Sequence, residues 1–120
     1  MKFSIIGVNH RTAPVEVRER LSFDQRALAD ALRKLKRRPG IQEGIILSTC
    51  NRVEVAVAVD DDSETGDLAR EVFTDTRQAD ANWLSEFTYR YDGNEAIRHL
   101  FRVAASLDSM VIGEPQILGQ

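Results

Sequence analysis

The sequence predicts an α+β domain, a small and largely antiparallel β-sheet covered by helices, and three observations carry that expectation. Val53, Val55, Val57 and Val59 alternate strictly with other residues, the pattern of a half-buried strand. Ala27, Leu28, Ala31, Leu32 and Leu35 recur instead at helical spacing. A chain of 120 residues with 42% hydrophobic content is long enough for one packed core and too short for two ordinary domains.

The elements follow in order. Lys2 to Val8, with Phe3, Ile5 and Ile6, reads as a strand closed by Gly7 and Asn9. His10 to Pro14 reads as a loop, and Pro14 starts a short helix carrying Val15 to Leu21. Ser22 and Gln25 have the form of a capping box for the helix that Pro39-Gly40 ends. Gly44 to Leu47 suits a buried strand, the valine strand follows, and Asp60 to Ser63 is an exposed turn. Asp67 to Thr76 reads as a polar helix with Leu68, Val72 and Phe73 inward, and Phe87 to Tyr91 as a fourth strand. Asp92 and Glu95 form a second capping box, before a helix whose expected inner face is Ala96, Ile97, Leu100, Phe101, Ala104 and Leu107. This order favours a ferredoxin-like sandwich with the helices over one face of the sheet. Glu114-Pro115 opens a new helix just before the chain stops, which reads as a fragment.

Composition narrows the function classes. No run reaches the roughly 18 apolar residues of a membrane span, and the N-terminus lacks a signal-peptide pattern, so a cytoplasmic protein is expected. One cysteine excludes an internal disulfide, and two histidines leave no metal site expected. The net charge of −3 argues against a general nucleic-acid binder. Its distribution is uneven: residues 1 to 59 hold 11 Lys+Arg against 6 Asp+Glu, and residues 60 to 120 hold 5 against 13. Arg33, Lys34, Lys36, Arg37 and Arg38 cluster at a helix end, where the dipole favours cations, and this structural reason ranks slightly above phosphate binding.

Ser48-Thr49-Cys50-Asn51-Arg52 is the segment best suited to chemistry. A lone cysteine is usually inert packing, but a buried strand interior does not run through five polar residues that would each need a partner. A polar cluster at a strand end is where functional groups are presented. If the chain stays extended, Cys50, Arg52 and Glu54 share one face. Arg52 would then favour the thiolate and offer a fork for a substrate carboxylate, the bland alternative being an Arg52–Glu54 ion pair at a sheet edge. His99 lies at the flank of its helix stripe as a half-buried histidine or, near Cys50, a general acid or base. Ser109 and the turn Gly113-Glu114-Pro115-Gln116 form a second polar cluster, either a plain cap or an anion site.

Taken together, Gly7 to Pro14, Leu47 to Arg52 with Glu54, His99-Leu100, and Ser109 with Gly113 to Gln120 closely resemble the glutamyl-tRNA reductase family, in its order and at its spacing. The resemblance implies an N-terminal catalytic domain, residues 1–106, and a substrate-binding segment with the start of a connecting helix, residues 107–120. It implies NADPH-dependent reduction of glutamyl-tRNA(Glu) to glutamate-1-semialdehyde through a thioester on Cys50, the first step of tetrapyrrole synthesis. It also implies substrate contacts from Thr49, Asn51, Arg52, Ser109, Glu114, Pro115, Gln116 and Gln120, and a role in activity for His99. NADPH-binding and dimerisation domains, a homodimer and a hand-over to the next enzyme are expected of the full-length protein, and no glycine-rich dinucleotide motif occurs in these residues. Many members have tyrosine where this chain has Ala56. The competing reading is a non-catalytic RNA-binding module of the same fold using Arg33 to Arg38, which lacks the aromatic stacking motif such modules need.

Overall fold

The computed structural model describes residues 1–61, 68–77 and 79–113, the side chains of 68, 69, 76 and 107–113 excepted. Its strands are β1 (Lys2–Asn9), β2 (Ile41–Ser48), β3 (Arg52–Val59) and β4 (Tyr89–Asp92). Its helices are α1 (Val15–Leu21), α2 (Gln25–Lys36), α3 (Leu68–Thr76), α4 (Ala81–Ser85) and α5 (Gly93–Gly113). The strands form one sheet in the order β2-β3-β1-β4, and every neighbouring pair is antiparallel. That order, with β3 set between β1 and β2 and β1 between β3 and β4, is the split arrangement of the ferredoxin-like sandwich.

Side chains alternate across the sheet, so its two faces have different chemistry. Ile6, Val8, Val53, Val55, Val57 and Val59 point to one face and form a single core with Val17 and Leu21 of α1, Ala31 and Leu35 of α2, and Val72 and Phe73 of α3. The alternating valines therefore do what their spacing predicts. Fully burying a side chain such as Phe73 contributes roughly 1.5–3 kcal/mol.

The opposite face departs from expectation. It carries Gly7, Ile5, Glu54, Ala56, Tyr89 and Tyr91, and α5 packs there against β1 and β4, so the helices cover both faces and not one. Among the described side chains of α5, Ala96, His99 and Val103 are buried at helical spacing, whereas Leu100 and Phe101 of the expected inner face stay 40% and 71% exposed. Leu107 lies outside the described side chains. Because α5 covers only the β1–β4 half, an apolar groove of about 240 Å³ remains between it and the β2–β3 half, with Ala56 on its floor.

Several local expectations are corrected. Gly7 lies inside β1 and does not close it. Asp24 caps α2, its carboxylate accepting from the Ala27 amide at 2.8 Å, while the Ser22 hydroxyl donates to Glu19 O at the end of α1. Helix α4 was not expected, and β4 starts two residues later than predicted because α4 and its closing turn take up Phe87. The Asp92 carboxylate, expected as a cap, receives the Arg90 guanidinium at 3.1–3.2 Å. Gly93, at φ +59°, lets β4 turn directly into α5, a backbone that a side chain would strain. Asp62, Ser63 and the Leu68 side chain lie outside the described residues.

Candidate active site

The segment around Cys50 is not extended. The Thr49 amide donates to Arg52 O at 2.8 Å, and Thr49 Oγ1 accepts from the amides of Asn51 and Arg52 at 3.2 and 3.1 Å. Cys50 and Asn51 are therefore the two tip residues of the β2–β3 hairpin, held by the Thr49 side chain. The expectation that Cys50 shares a strand face with Arg52 fails, because a tight turn breaks the period-2 alternation. Both tip residues are exposed.

Ser48 fixes the hairpin to the helical layer, its hydroxyl accepting from the Phe23 amide at 2.9 Å. Between the hairpin and α1 lies an open cleft of about 330 Å³, lined by Cys50, Thr49, Arg18, Glu19 and Ser22 among others. The neighbouring loop is equally well defined. Asn9 Oδ1 accepts from the amides of Arg11 and Thr12 at 2.9 and 3.1 Å, so the chain leaving β1 turns sharply beside Arg52, the β3 partner of Asn9.

On the α5 face, one cross-sheet row reads Tyr89, Gly7, Glu54, Leu47. Gly7 has no side chain, so Tyr89 and Glu54 meet over it, two strands apart. Three groups converge on Glu54 Oε2: the Tyr89 hydroxyl, His99 Nε2, and Arg52 Nη1 at 3.4 Å. Glu54 is 5% exposed and His99 7%, so His99 is a core histidine and not a half-buried one. Its ring stacks on Tyr91 at 4.5 Å and tilts against Tyr89 at 5.4 Å. The Arg52–Glu54 pair was expected only at a sheet edge, but β3 is an interior strand and the pair is largely buried. A buried carboxylate persists only when paired and hydrogen-bonded, and Arg52, Tyr89 and His99 meet both needs.

Sequence reasoning did not single out Tyr89 or the function of Gly7, and weighed Glu54 only as a partner for Arg52. It also weighed His99 as a general acid or base, a role that needs it near Cys50. Among the described residues no hydrogen bond joins the two. His99 faces the sheet from α5 and is bonded to Glu54, while Cys50 stands at the exposed tip of the hairpin. Ser109 lies on the described backbone of α5, and its side chain and all of Glu114, Pro115, Gln116 and Gln120 fall outside the described residues. In the basic cluster, Arg38 reaches Glu71 and Asp75 of α3 and Arg33 pairs with Asp30, which is a structural use of those charges.

Burial, and then the adjacent Glu54 carboxylate, hold the Tyr89 phenol far above its ordinary value, so the hydroxyl stays a donor. Folding raises this pKa, so the stabilisation is complete below the unfolded value of about 10 and is lost as the pH climbs beyond it. Stability of the wild type should therefore fall more steeply above about pH 10 than that of Tyr89→Phe. At neutral pH the variant should lose about 1–2 kcal/mol. Urea midpoints measured at intervals across that range check both statements.

The family described as "Glutamyl-tRNAGlu reductase, N-terminal domain" matches residues 6–120. The chain belongs to that family. It is 49% identical over its whole length to a glutamyl-tRNA reductase of Solibacter usitatus and 50% identical over its whole length to one of Syntrophotalea carbinolica. A relative named glutamyl-tRNA reductase 2, from Anaeromyxobacter dehalogenans, is 51% identical over 97% of the chain. The chain spans 28%, 27% and 24% of these relatives' own lengths, respectively. Among the described residues no helix is long and apolar enough to cross a membrane.

Proposed function

We propose that this domain carries out the acyl-transfer half of glutamyl-tRNA reduction, with Cys50 as nucleophile and Arg52 as the group that recognises the glutamyl side chain. The observation that supports it is the hairpin: a free thiol at an exposed, hydrogen-bonded tip, beside an open cleft, with a buttressed arginine at the tip's base. In glutamyl-tRNA the α-carboxyl is esterified, so the side-chain carboxylate is the free anion. A guanidinium is the cation that grips a carboxylate bidentately. With that end anchored, the Cys50 thiolate attacks the ester carbonyl, the C–O bond breaks, and the tRNA 3′-terminal hydroxyl departs with a proton as the Cys50 thioester forms. Thr49 keeps the tip rigid, and Asn51 stands beside the thiol on the same turn. Ser109, Glu114, Pro115, Gln116 and Gln120 are proposed as further contacts with the substrate.

Reduction of the thioester to the semialdehyde calls for NADPH, and the described residues do not fit a dinucleotide. Their sheet is wholly antiparallel, without the parallel strand, glycine-rich turn and helix that cradle a pyrophosphate. The domain alone is therefore proposed to form the thioester and not to reduce it. A cytoplasmic location accords with the free thiol at the tip.

Incubating the domain with radiolabelled glutamyl-tRNA, followed by acid quench and mass analysis, should place one glutamyl group on Cys50. Cys50→Ser should lose at least about 100-fold in acyl-enzyme formation while changing stability by no more than about 0.5 kcal/mol, because the residue is exposed. Equal covalent glutamyl labelling of wild type and Cys50→Ser would overturn the assignment.

A further inference from the structure

We propose that His99 and Tyr89 are positioning residues for Arg52, acting through Glu54, and that His99 is not the proton-transfer partner of Cys50. The consequence for acylation rests on the function proposed above, whereas the relay itself stands on geometry alone.

The geometry is specific. A carboxylate offers only acceptors, so with Glu54 as the ionised partner of Arg52 the Tyr89 hydroxyl and the His99 Nε2–H both donate to it. In a neutral imidazole this contact selects the tautomer with hydrogen on Nε2. The ring is held in place by Tyr91 and Tyr89, and α5 brings it there through the buried pair Ala96 and Val103, one turn to either side. Gly7 clears the path between β4 and β3. The carboxylate so oriented holds Arg52 Nη1, and Arg52 is the first residue of β3 at the base of the hairpin that carries Cys50. All three groups converge on one buried oxygen of Glu54, whose arginine partner opens β3 next to the hairpin tip. Among the described residues, the titratable groups in contact with His99 are Glu54 from β3 and Tyr89 and Tyr91 from β4, with Arg52 on the same Glu54 oxygen.

Two readouts on the same chain decide the matter. In ¹⁵N-labelled protein, His99 should show a protonated Nε2, and the Arg52 guanidinium protons should exchange slowly with solvent. That exchange should quicken by about tenfold in His99→Ala and in Glu54→Gln, and stay within about threefold of wild type in His99→Gln, whose amide N–H reaches the same distance as Nε2–H. In single-turnover acylation, His99→Ala should raise the half-saturating glutamyl-tRNA concentration about tenfold with little change in maximal rate, and His99→Gln should recover it. Maximal rates equally depressed in His99→Ala and His99→Gln, with Arg52 exchange unchanged, would overturn the proposal in favour of proton transfer. Should wild type fail to acylate, the proposed function falls, and the exchange data alone then decide the relay. If His99→Ala does not fold, Tyr89→Phe removes one donor more gently, and unchanged Arg52 exchange there would count against the relay.

Discussion

Gly7→Ala is expected to lower the unfolding free energy by about 3 kcal/mol, measured by urea denaturation, although it adds only one methyl group. A Cβ at this position would lie 2.7 Å from Glu54 Cγ and 2.7 Å from Val53 O, and 3.1 Å from Glu54 Cα. Two of these neighbours are backbone atoms of the adjacent strand, so relief requires β1 and β3 to separate along a ladder that runs from Lys2–Val59 to Asn9–Arg52. Gly44 supplies the control. A Cβ there meets Leu35 Cδ2 at the shorter distance of 2.4 Å, but that atom ends a flexible side chain that can rotate away. Gly44→Ala should therefore cost only about 1 kcal/mol, the reverse of the order the bare distances suggest. Gly7→Ala should also push Tyr89 and Glu54 apart, so its Arg52 guanidinium protons should lose their protection from exchange even under fully folding conditions.

How much of this was legible in the sequence depends on whether a residue's role is local. The valines of β3 and the apolar spacing of α2 report their own buried face, and both elements form as predicted. The place of Cys50 at a strand end was legible because five consecutive polar residues do not suit a strand interior. Its turn geometry was not, since Thr49 Oγ1 capping two amides replaces the extended conformation that period 2 assumes. Helix α4 has five residues, too few to express a period. On α5 two stripes compete, and the more apolar one, with Leu100 and Phe101, is left exposed while His99 turns inward to a carboxylate. That choice is made by Glu54, 45 residues earlier in the chain, and by Tyr89, 35 residues from Glu54. Without the strand register, such pairings are invisible. Two signals did exist: a glycine inside an otherwise β-rich run, which marks a close approach, and a glutamate between two core valines of an alternating strand.

Replacing that glutamate should be the other severe change. Glu54→Leu fits the volume and suits an interior strand, so a side chain that merely packed would tolerate it. The expected loss is instead about 3–4 kcal/mol, because the substitution leaves the Arg52 charge, the Tyr89 hydroxyl and the His99 N–H without their common acceptor. Arg52 is the largest part of this cost, being a cation whose side chain is only 19% exposed. The double variant Glu54→Leu/Arg52→Leu should therefore be more stable than Glu54→Leu alone by about 1–2 kcal/mol, a reversal that simple loss of packing does not produce. Thermal and urea unfolding of the two variants, the single Arg52→Leu and the wild type complete the cycle. Additive losses would show that the carboxylate and the guanidinium are not coupled. A positive coupling would show that the carboxylate holds the guanidinium in place, and a double variant more stable than the wild type would show that the domain gives up stability to hold it.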